Sequence, residues 1–262
     1  MINARGGLGI PVRVDHTVEE EVQALFERVR REQDGRLDIL VNDVWGGDAL
    51  IDRRWFWEES LDKGFQMLRQ AVNAHIITSR YGAPLMVARH RGLIVEVTDG
   101  LGHGYHGPNL FYSLSKASAT HLAEAMAWQL SADGQSGITA VAVTPGYLRS
   151  EAMLDIYGVT EANWRDGIAR NEGWAGSETP YFIGRTIVAL ATDPNVARHA
   201  GRTVATLDLA EEYGFTDVDG SRPHWARHHA EIRDKEEACS CRDQLCPSAP
   251  AAGRARTTGG LV

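Results

Sequence analysis

The chain has 262 residues, of which 43% are hydrophobic and 24% are charged, and a chain of this kind can bury one substantial core. Its formal net charge of -8 argues against nucleic acid or an anionic membrane surface as the main partner. The sequence has no apolar run long enough to span a bilayer and no secretory pattern at its N-terminus, so we predict a cytoplasmic protein.

The first half of the chain alternates short apolar runs with helical patterns, which is typical of parallel βα units. Residues 9–14 and 37–41 are predicted strands, and between them Thr17 and Glu20 have the spacing of a helix capping box. A long helix is predicted over residues 61–87, with Pro84 breaking its end. Residues 93–97 form the next predicted strand.

The second half continues the same pattern with a predicted helix over residues 111–130 and a strand over 138–143. Helical patterns follow near residues 160–169 and 180–191, and 203–207 is the last predicted strand. From Lys235 onward the chain becomes rich in Pro, Ser, Ala, Gly and Arg, so we predict one domain over residues 1–234 and a disordered tail over 235–262. All three cysteines lie in this tail, and without a fourth ligand they predict no metal site; they are Cys239, Cys241 and Cys246.

The sharpest local feature is a Tyr-x-x-x-Lys spacing at the start of the predicted helix 111–130. Tyr112 and Lys116 are four residues apart, so their side chains lie on one helix face, one turn apart. A lysine ammonium beside a phenol eases ionisation of the phenol, which suits proton exchange with a substrate hydroxyl or carbonyl. Because the chain has only three lysines, this spacing is expected by chance about 0.08 times. The alternative is an accidental pair on a solvated helix face.

From about residue 4 to about residue 220 the sequence resembles the short-chain dehydrogenase/reductase family. The stretch RVDHTVEEEVQALFERVRREQDGRLDILVND resembles the family's segment from its third strand to its fourth. Residues 42–45 fall on the family's N-N-A-G loop, of which only the first Asn, Asn42, is kept. The positions that match family motifs are Asp15, Asn42, Asp43, Asn73, Tyr112, Lys116, Pro145, Gly146 and Ser150. Their order and spacing agree together.

The resemblance implies hydride transfer between NAD or NADP and a small-molecule alcohol or carbonyl compound. Tyr112 would be the proton donor in reduction and the base in oxidation. Lys116 would lower the pKa of Tyr112 and hold the cofactor's ribose hydroxyls, and Asn73 would carry a proton-relay water. The remaining matches imply contacts with the cofactor: Asp15 with the adenine, Asn42 and Asp43 in the following loop, and Pro145, Gly146 and Ser150 at the nicotinamide end.

One candidate catalytic position departs from the family pattern. Thirteen residues before the catalytic Tyr, where the family has a Ser that donates a hydrogen bond to the substrate oxygen, this chain has Asp99. An ionised carboxylate only accepts hydrogen bonds, and it would raise the pKa of Tyr112. Three interpretations stand: Asp99 is held protonated, Thr98 supplies the hydroxyl from a bent strand, or Asp99 caps the following turn.

A second departure is the absence of the family's strand, glycine-rich turn T-G-x-x-x-G-x-G and helix, on which the cofactor's pyrophosphate rests. The glycines of RGGLG at residues 5–9 precede a predicted strand, whereas the motif follows one. We therefore predict an incomplete α/β fold, a doubly wound Rossmann-like parallel sheet without its first βαβ unit. Residues 9–14 are expected to be poorly paired, strand 37–41 to be an exposed edge, and cofactor binding to be weak.

A competing hypothesis is a non-catalytic module that acts through protein association. In the family, the helices at 61–87 and 111–130 usually form a four-helix dimer seam, so the resemblance implies a homo-oligomer. Retention of Tyr112, Lys116 and Asn73 favours the enzyme, whereas the absence of the glycine turn favours the module.

Several further aromatic and histidine residues have two open interpretations. A pocket role and a surface loop are both open for His103, Tyr105 and His106. For Trp45, Trp55 and Trp57 we favour packing, and for His224 and His228 a solvated helix end over metal binding. An apolar substrate is suggested by Tyr147, Leu148, Trp164 and Trp174.

Overall fold

A computed structural model describes residues 2–52, 54–100, 109–134, 137–225 and 227–228. Within these residues, one sheet has four parallel strands in chain order: β1 (Ile39–Asn42), β2 (Gly92–Val97), β3 (Ile138–Thr144) and β4 (Thr203–Ala205). The α-helices are α1 (Glu19–Glu32), α2 (Leu61–Leu68), α3 (Ala74–Val87), α4 (Leu110–Ala132), α5 (Glu151–Tyr157), α6 (Pro180–Thr192) and α7 (Thr206–Tyr213). The predicted fold class, α/β with a Rossmann-like parallel sheet, is confirmed.

The core lies on both faces of the two central strands, because β2 and β3 are almost continuous runs of apolar residues. Alternate side chains of a strand point to opposite faces. On one face Ile94 packs in a cluster with Phe26 of α1, and on the other Val95 packs in a cluster with Leu190 of α6 and Leu209 of α7. Within the described residues, no helix is both long and apolar enough to cross a bilayer.

The first strand stands at one end of the sheet and pairs with β2 alone among the described strands. Ile39 and Val41 are each 39% exposed, whereas the next residue of the other face, Leu40, is buried. The predicted exposed edge is thus confirmed. Residues 9–14 form no strand, so the strand predicted there is wrong and the expected lack of pairing is confirmed.

The start of α1 differs from the predicted capping box. The helix begins at Glu19 after Val18, which makes no side-chain cap. The backbone N–H and the hydroxyl of Thr17 instead both donate to Asp15 Oδ1, at 2.9 and 2.7 Å. The capping-box prediction for Thr17 and Glu20 is wrong, because the Asp15 side chain forms a local turn with Thr17 before the helix begins.

The long helix predicted over residues 61–87 is interrupted, although not by proline. Pro84 lies inside α3, which continues to Val87, and the interruption is a π-helical segment at Arg69–Asn73. At the other end of the chain, the last strand ends at Ala205, so Leu207 belongs to α7 and the strand prediction is too long. A short buried apolar run does not distinguish a strand from the first turn of a buried helix.

The helix α4 brings its first turn to the carboxyl ends of β2 and β3. Asn109 caps this helix, because its Oδ1 accepts a hydrogen bond from the Tyr112 backbone at 2.8 Å. On the neighbouring α2, a Cβ added at Gly64 would overlap the Phe111 ring, so glycine allows the two helices to approach closely.

Candidate functional site

The two residues of the Tyr-x-x-x-Lys motif lie close together on α4. The Lys116 Nζ atom is 5.5 Å from the centre of the Tyr112 ring and 4.1 Å from the centre of the Trp45 ring. Trp45 also meets the Tyr112 ring edge-on, with the ring centres 5.4 Å apart. The structure therefore places the aromatic residue Trp45, for which sequence favoured simple packing, against both motif residues.

The hydroxyl of Tyr112 donates a hydrogen bond to Asp99 Oδ2 at 2.6 Å. Thr98 is buried, and its hydroxyl donates to the backbone carbonyl of Lys116 at 2.7 Å, which fixes α4 to the end of β2. The interpretation that Thr98 supplies the substrate-facing hydroxyl is therefore wrong. The carboxyl group of Asp99 is the group that faces Tyr112.

Burial and the nearby carboxylates shift the pKa values of Tyr112 and Lys116 from their ordinary values. Burial raises the pKa of Tyr112, and the adjacent Asp99 carboxylate raises it further. Burial lowers the pKa of Lys116, while the carboxylates of Asp99, Asp43 and Asp48 oppose that change. The phenol is consequently protonated at neutral pH, in contrast to the expectation that Lys116 makes it easier to ionise.

The structure does not bring Asn73 to Lys116. Asn73 is exposed at the end of the π-helical segment, whereas Ala71 and His75 line a cavity of about 20 Å³ beside Lys116. Residues two apart in a helix point to nearly opposite sides, so Asn73 cannot share the face of Ala71. The position that faces the lysine is therefore occupied by a methyl group, and the expected relay amide is absent from it.

The end of β1 and the loop after it each contribute one predicted residue, and the two have different surroundings. Asn42 is buried, and its amide donates to Glu96 Oε1 at 2.6 Å and to Ser79 Oγ at 2.8 Å. Asp43 lines the cavity that contains Lys116. Burial raises the pKa of Asp43, and the charges of Lys116 and His75 oppose that change.

Sequence reasoning missed the buried pair of His75 and Glu96. His75 Nδ1 lies 2.7 Å from Glu96 Oε2, and His75 Nε2 lies 3.0 Å from the carbonyl oxygen of Val44. A glutamate inside the apolar strand sequence LIVEV was the signal that could have indicated such a pair, since a buried carboxylate needs a partner.

A large open cavity of about 950 Å³ is lined by residues 13–17 before α1 and by the loop that follows β1. Asp15 and Trp45 both line it, so the structure connects the predicted adenine-contacting residue with the motif lysine's aromatic neighbour. The Asp15 carboxylate is exposed and holds Thr17, and these hydrogen bonds lower the pKa of Asp15.

The predicted nicotinamide-end residues follow β3. The backbone N–H of Gly146, the residue after Pro145, donates to Glu178 Oε2 at 3.0 Å, and burial raises the pKa of Glu178 to about 7. A Cβ at Gly146 would overlap the indole of Trp225, so only glycine fits there. Ser150 caps α5 by accepting a hydrogen bond from the Met153 backbone at 3.3 Å, which gives its hydroxyl a structural role.

The aromatic residues after the Pro145–Gly146 turn pack among themselves. Trp174 is fully buried, with the Tyr147 ring centre 6.4 Å away, and its indole N–H donates to the carbonyl of Trp164 at 2.9 Å. Leu148 forms a bridge to Glu178 at the same turn. These side chains fix the segment, and their direct contact with a substrate stays a prediction.

Other residues singled out by the sequence take no part in this cluster. Trp55 and Trp57 stack with ring centres 5.5 Å apart and remain 68% and 65% exposed, so packing into the core was the wrong expectation for them. His224 accepts from the Arg227 backbone, and His228 contacts the Glu172 carbonyl. The predictions for His103, Tyr105, His106, the three cysteines and the tail at 235–262 lie outside the described residues.

The described residues fit one half of a nicotinamide dinucleotide better than the other. Tyr112, Lys116 and Pro145–Gly146 lie at the carboxyl ends of the central strands, where parallel sheets bind such ligands. Between residues 2 and 38, the structure has α1 and a short 3₁₀ turn, with no strand and glycine turn that could hold a pyrophosphate.

Comparison with known proteins agrees with this geometry. Residues 2–157 match the family model described as short chain dehydrogenase. The mouse (Mus musculus) protein named Dehydrogenase/reductase SDR family member 1 is 36% identical over 222 residues, which are 82% of this chain and 69% of that protein. The 7alpha-hydroxysteroid dehydrogenase of Escherichia coli (strain K12) is 27% identical over 159 residues, 59% of this chain and 57% of that enzyme. A short-chain type dehydrogenase/reductase from Mycobacterium marinum, solved by crystallography, has the same fold with a TM-score of 0.60 at 22% identity, covering 78% of this chain and 76% of that one.

Proposed function

The chain belongs to the short-chain dehydrogenase/reductase family, and from this premise we propose that it interconverts an alcohol and a carbonyl compound with NAD or NADP. The observation that supports the proposal is the grouping of Tyr112, Lys116 and Asp99 after the carboxyl end of β2. A proton donor and a cation beside it are the groups that carbonyl reduction requires of the protein.

In the direction of reduction, Tyr112 donates its hydroxyl proton to the carbonyl oxygen of the substrate. Its raised pKa keeps that proton in place at neutral pH, and the Lys116 ammonium stabilises the phenolate that remains. The nicotinamide ring, when bound, supplies the hydride. Because Tyr112 donates to Asp99 Oδ2 in the free site, the substrate oxygen replaces Asp99 as the acceptor of this hydrogen bond.

The same residues suggest how a dinucleotide is held. Lys116 would bind the ribose hydroxyls, the Pro145–Gly146 turn would flank the nicotinamide, and Asp15 would meet the adenine across the large cavity. Residues 2–38 form no glycine turn after a strand that could hold the cofactor's pyrophosphate. We therefore propose that this chain binds the cofactor weakly and that its sheet lacks the family's first βαβ unit.

Two measurements test these statements separately. Isothermal titration with NADH and NADPH tests binding, and micromolar affinity would overturn the proposal of weak binding. Reduction of a panel of aldehydes and ketones at millimolar NADH or NADPH tests the reaction. Failure of the folded chain to reduce any of them, with the cofactor shown to be bound, would overturn the proposed activity.

A second candidate function, association through the long helices, is supported by a row of exposed apolar side chains. Leu61 and Phe65 of α2 are each 59% exposed, and α4 exposes Leu114 and Trp128. Such a surface favours a homodimer. Light scattering after gel filtration should give a dimer for the wild type and a monomer for Leu114→Asp; a monomeric wild type contradicts the proposal.

We also propose a cytoplasmic location, supported by the absence of cysteine from residues 1–238. Fluorescence microscopy of a tagged chain tests it, and a signal confined to a membrane compartment would contradict it.

A further inference from the structure

Beneath the site lies a buried ionisable pair that the proposed reaction does not use. Glu96, in β2, is fully buried, and His75, in the first turn of α3, is 4% exposed. Their atoms Oε2 and Nδ1 are 2.7 Å apart. The remaining polar atoms are also occupied, because Asn42 donates to Glu96 Oε1 and His75 Nε2 lies 3.0 Å from the Val44 carbonyl oxygen.

The hydrogen-bond pattern fixes where one proton sits. A carbonyl oxygen can only accept, so the Nε2 atom of His75 carries a hydrogen and donates it to Val44. The Nδ1–Oε2 contact then holds one further proton, on the imidazole or on the carboxyl group of Glu96. In both arrangements every polar atom of the pair is satisfied, so the donation to Val44 persists when this proton changes sides.

Val44 occupies a sensitive place in the loop. Its neighbours in the chain are Asp43 and Trp45, and both face Lys116: the Trp45 ring centre is 4.1 Å from Nζ, and Asp43 lines the small cavity that contains the lysine. His75 lines that cavity as well. The hydrogen bond from His75 therefore reaches the backbone between two residues that lie near Lys116.

We propose that His75, held in place by Glu96, is a positioning residue that keeps the loop from Asp43 to Trp45 against Lys116. The consequence for catalysis rests on the function proposed above, whereas the positioning itself does not. The groups that face Lys116 from the surrounding elements are Asp43, Asp48, Asp99, Tyr112 and His75.

The chain allows a direct test because it contains three lysines, Lys63, Lys116 and Lys235. Selective labelling of the lysine side-chain carbons gives three NMR signals, and Lys116→Arg identifies the signal of Lys116. In the wild type the Trp45 ring should displace that signal from the position of the exposed Lys63. Titration of the same signal reports the lysine's acidity without any cofactor.

Two substitutions of His75 separate its two hydrogen bonds. The amide of His75→Asn replaces Nδ1, so it keeps a partner for the buried Glu96 and releases the Val44 carbonyl. The amide of His75→Gln reaches the position of Nε2 and keeps the bond to Val44. We expect the Lys116 signal to move toward that of Lys63 in His75→Asn and to stay at the wild-type position in His75→Gln.

The matched control is His16→Asn, because His16 makes a hydrogen bond of 2.7 Å to Thr78, one turn farther along α3, and does not line the small cavity beside Lys116. This variant should leave the Lys116 signal unchanged. Should the signal stay in place in a folded His75→Asn protein, the proposal is wrong.

If His75→Asn does not fold, the wild type still provides a test. Nitrogen NMR of its histidines must show Nε2 of His75 protonated at every pH at which the chain is folded, and an unprotonated Nε2 overturns the proposal. Where the wild type reduces a substrate, His75→Asn should lower kcat roughly 10-fold to 100-fold with a smaller change in KM. Absence of activity with the cofactor shown to be bound, together with the expected NMR shifts, would refute the proposed function and leave the positioning role in place.

Discussion

The two sides of the sheet differ in how completely they are built. Around β2 and β3, Tyr112, Asp99, Lys116 and Thr98 are joined by short hydrogen bonds and ring contacts. Around β1, one edge of the strand has no partner strand in the part of the chain that the structure describes, Ile39 is exposed, and the cavity lined by the following loop is open. The comparison teaches that the residues we propose for proton transfer and the residue we propose for the adenine end of the cofactor are supported by different parts of the sheet.

The largest expected effect is on the proton-transfer side. Tyr112→Phe removes the donor, so it should lower the rate of carbonyl reduction about 10²-fold to 10⁴-fold, measured by consumption of NADPH. The matched control is Tyr81→Phe, which also deletes a phenol hydroxyl that donates a hydrogen bond to a carboxylate, that of Glu19 at 2.7 Å.

On the nucleotide side, Asp15→Ala should change KM for the cofactor only several-fold. An equal loss of kcat/KM in the Tyr112 and Asp15 variants would contradict this difference between the two sides of the sheet.

The same contrast should be visible in stability. Ile94→Ala empties a fully buried position in β2 and should lower the free energy of unfolding by about 2 to 5 kcal/mol. Ile39→Ala, the same substitution in β1, should lower it by less than about 1 kcal/mol, since Ile39 is already in partial contact with water. Urea unfolding measures both. Similar values would show that the edge of β1 is covered in solution.

A pH dependence should arise near the Pro145–Gly146 turn. Burial raises the pKa of Glu178 from 4.5 to about 7, so the folded chain holds a proton there that the unfolded chain releases. The resulting stabilisation is complete below pH 4.5 and is lost as the pH rises through about 7. It amounts at most to a value on the order of 3 kcal/mol.

Glu178→Gln keeps the acceptor for Gly146 and removes this titration. Thermal unfolding between pH 5 and pH 8 should therefore show a smaller decrease of Tm for the variant than for the wild type. Parallel curves for the two proteins would contradict the raised pKa of Glu178.

A further expected effect, smaller than that of Tyr112→Phe, concerns the departure from the family at Asp99. Asp99→Ser removes the carboxylate that contributes to the raised pKa of Tyr112, so the phenolate forms at lower pH. Oxidation of an alcohol at pH 8 should become roughly 10-fold faster, and the alkaline loss of reduction should begin at lower pH. Asp99→Asn, which keeps the shape and removes the charge, is the control for the electrostatic effect. Unchanged pH profiles in both variants would show that Asp99 does not influence the phenol.

The spacing of residues along the sequence predicted those residues of the site that lie within one turn of a helix or directly after a strand. Tyr112 and Lys116 share a face because four residues make about one turn, and Asp99 follows directly from the end of β2. The strands β2 and β3 were predicted because their apolar runs are long and continuous. The free edge of β1 followed from the missing glycine turn.

The other features of the site could not be predicted, because they depend on contacts between residues that are far apart in the sequence. Asn73 was assigned by matching a motif across a helix, and the π-helical segment changes which residues face inward there. The pairing of His75 with Glu96 joins residues from α3 and β2; the glutamate in an apolar strand indicates that a partner is needed, but the sequence does not identify His75 as that partner. Trp45 contacts Lys116 only because its loop turns back over α4.

The π-helical segment between α2 and α3 has a consequence for how this chain tolerates insertions and deletions. Each helical residue turns the chain by about 100°, so removing one residue from Arg69–Asn73 would rotate α2 relative to α3 by that angle. Phe65 would leave Phe111, and Gly64 would no longer face the ring that requires it. The number of residues in this segment therefore sets the rotation of α2 relative to α3. We expect the fold to tolerate a substitution within Arg69–Asn73 better than a deletion there.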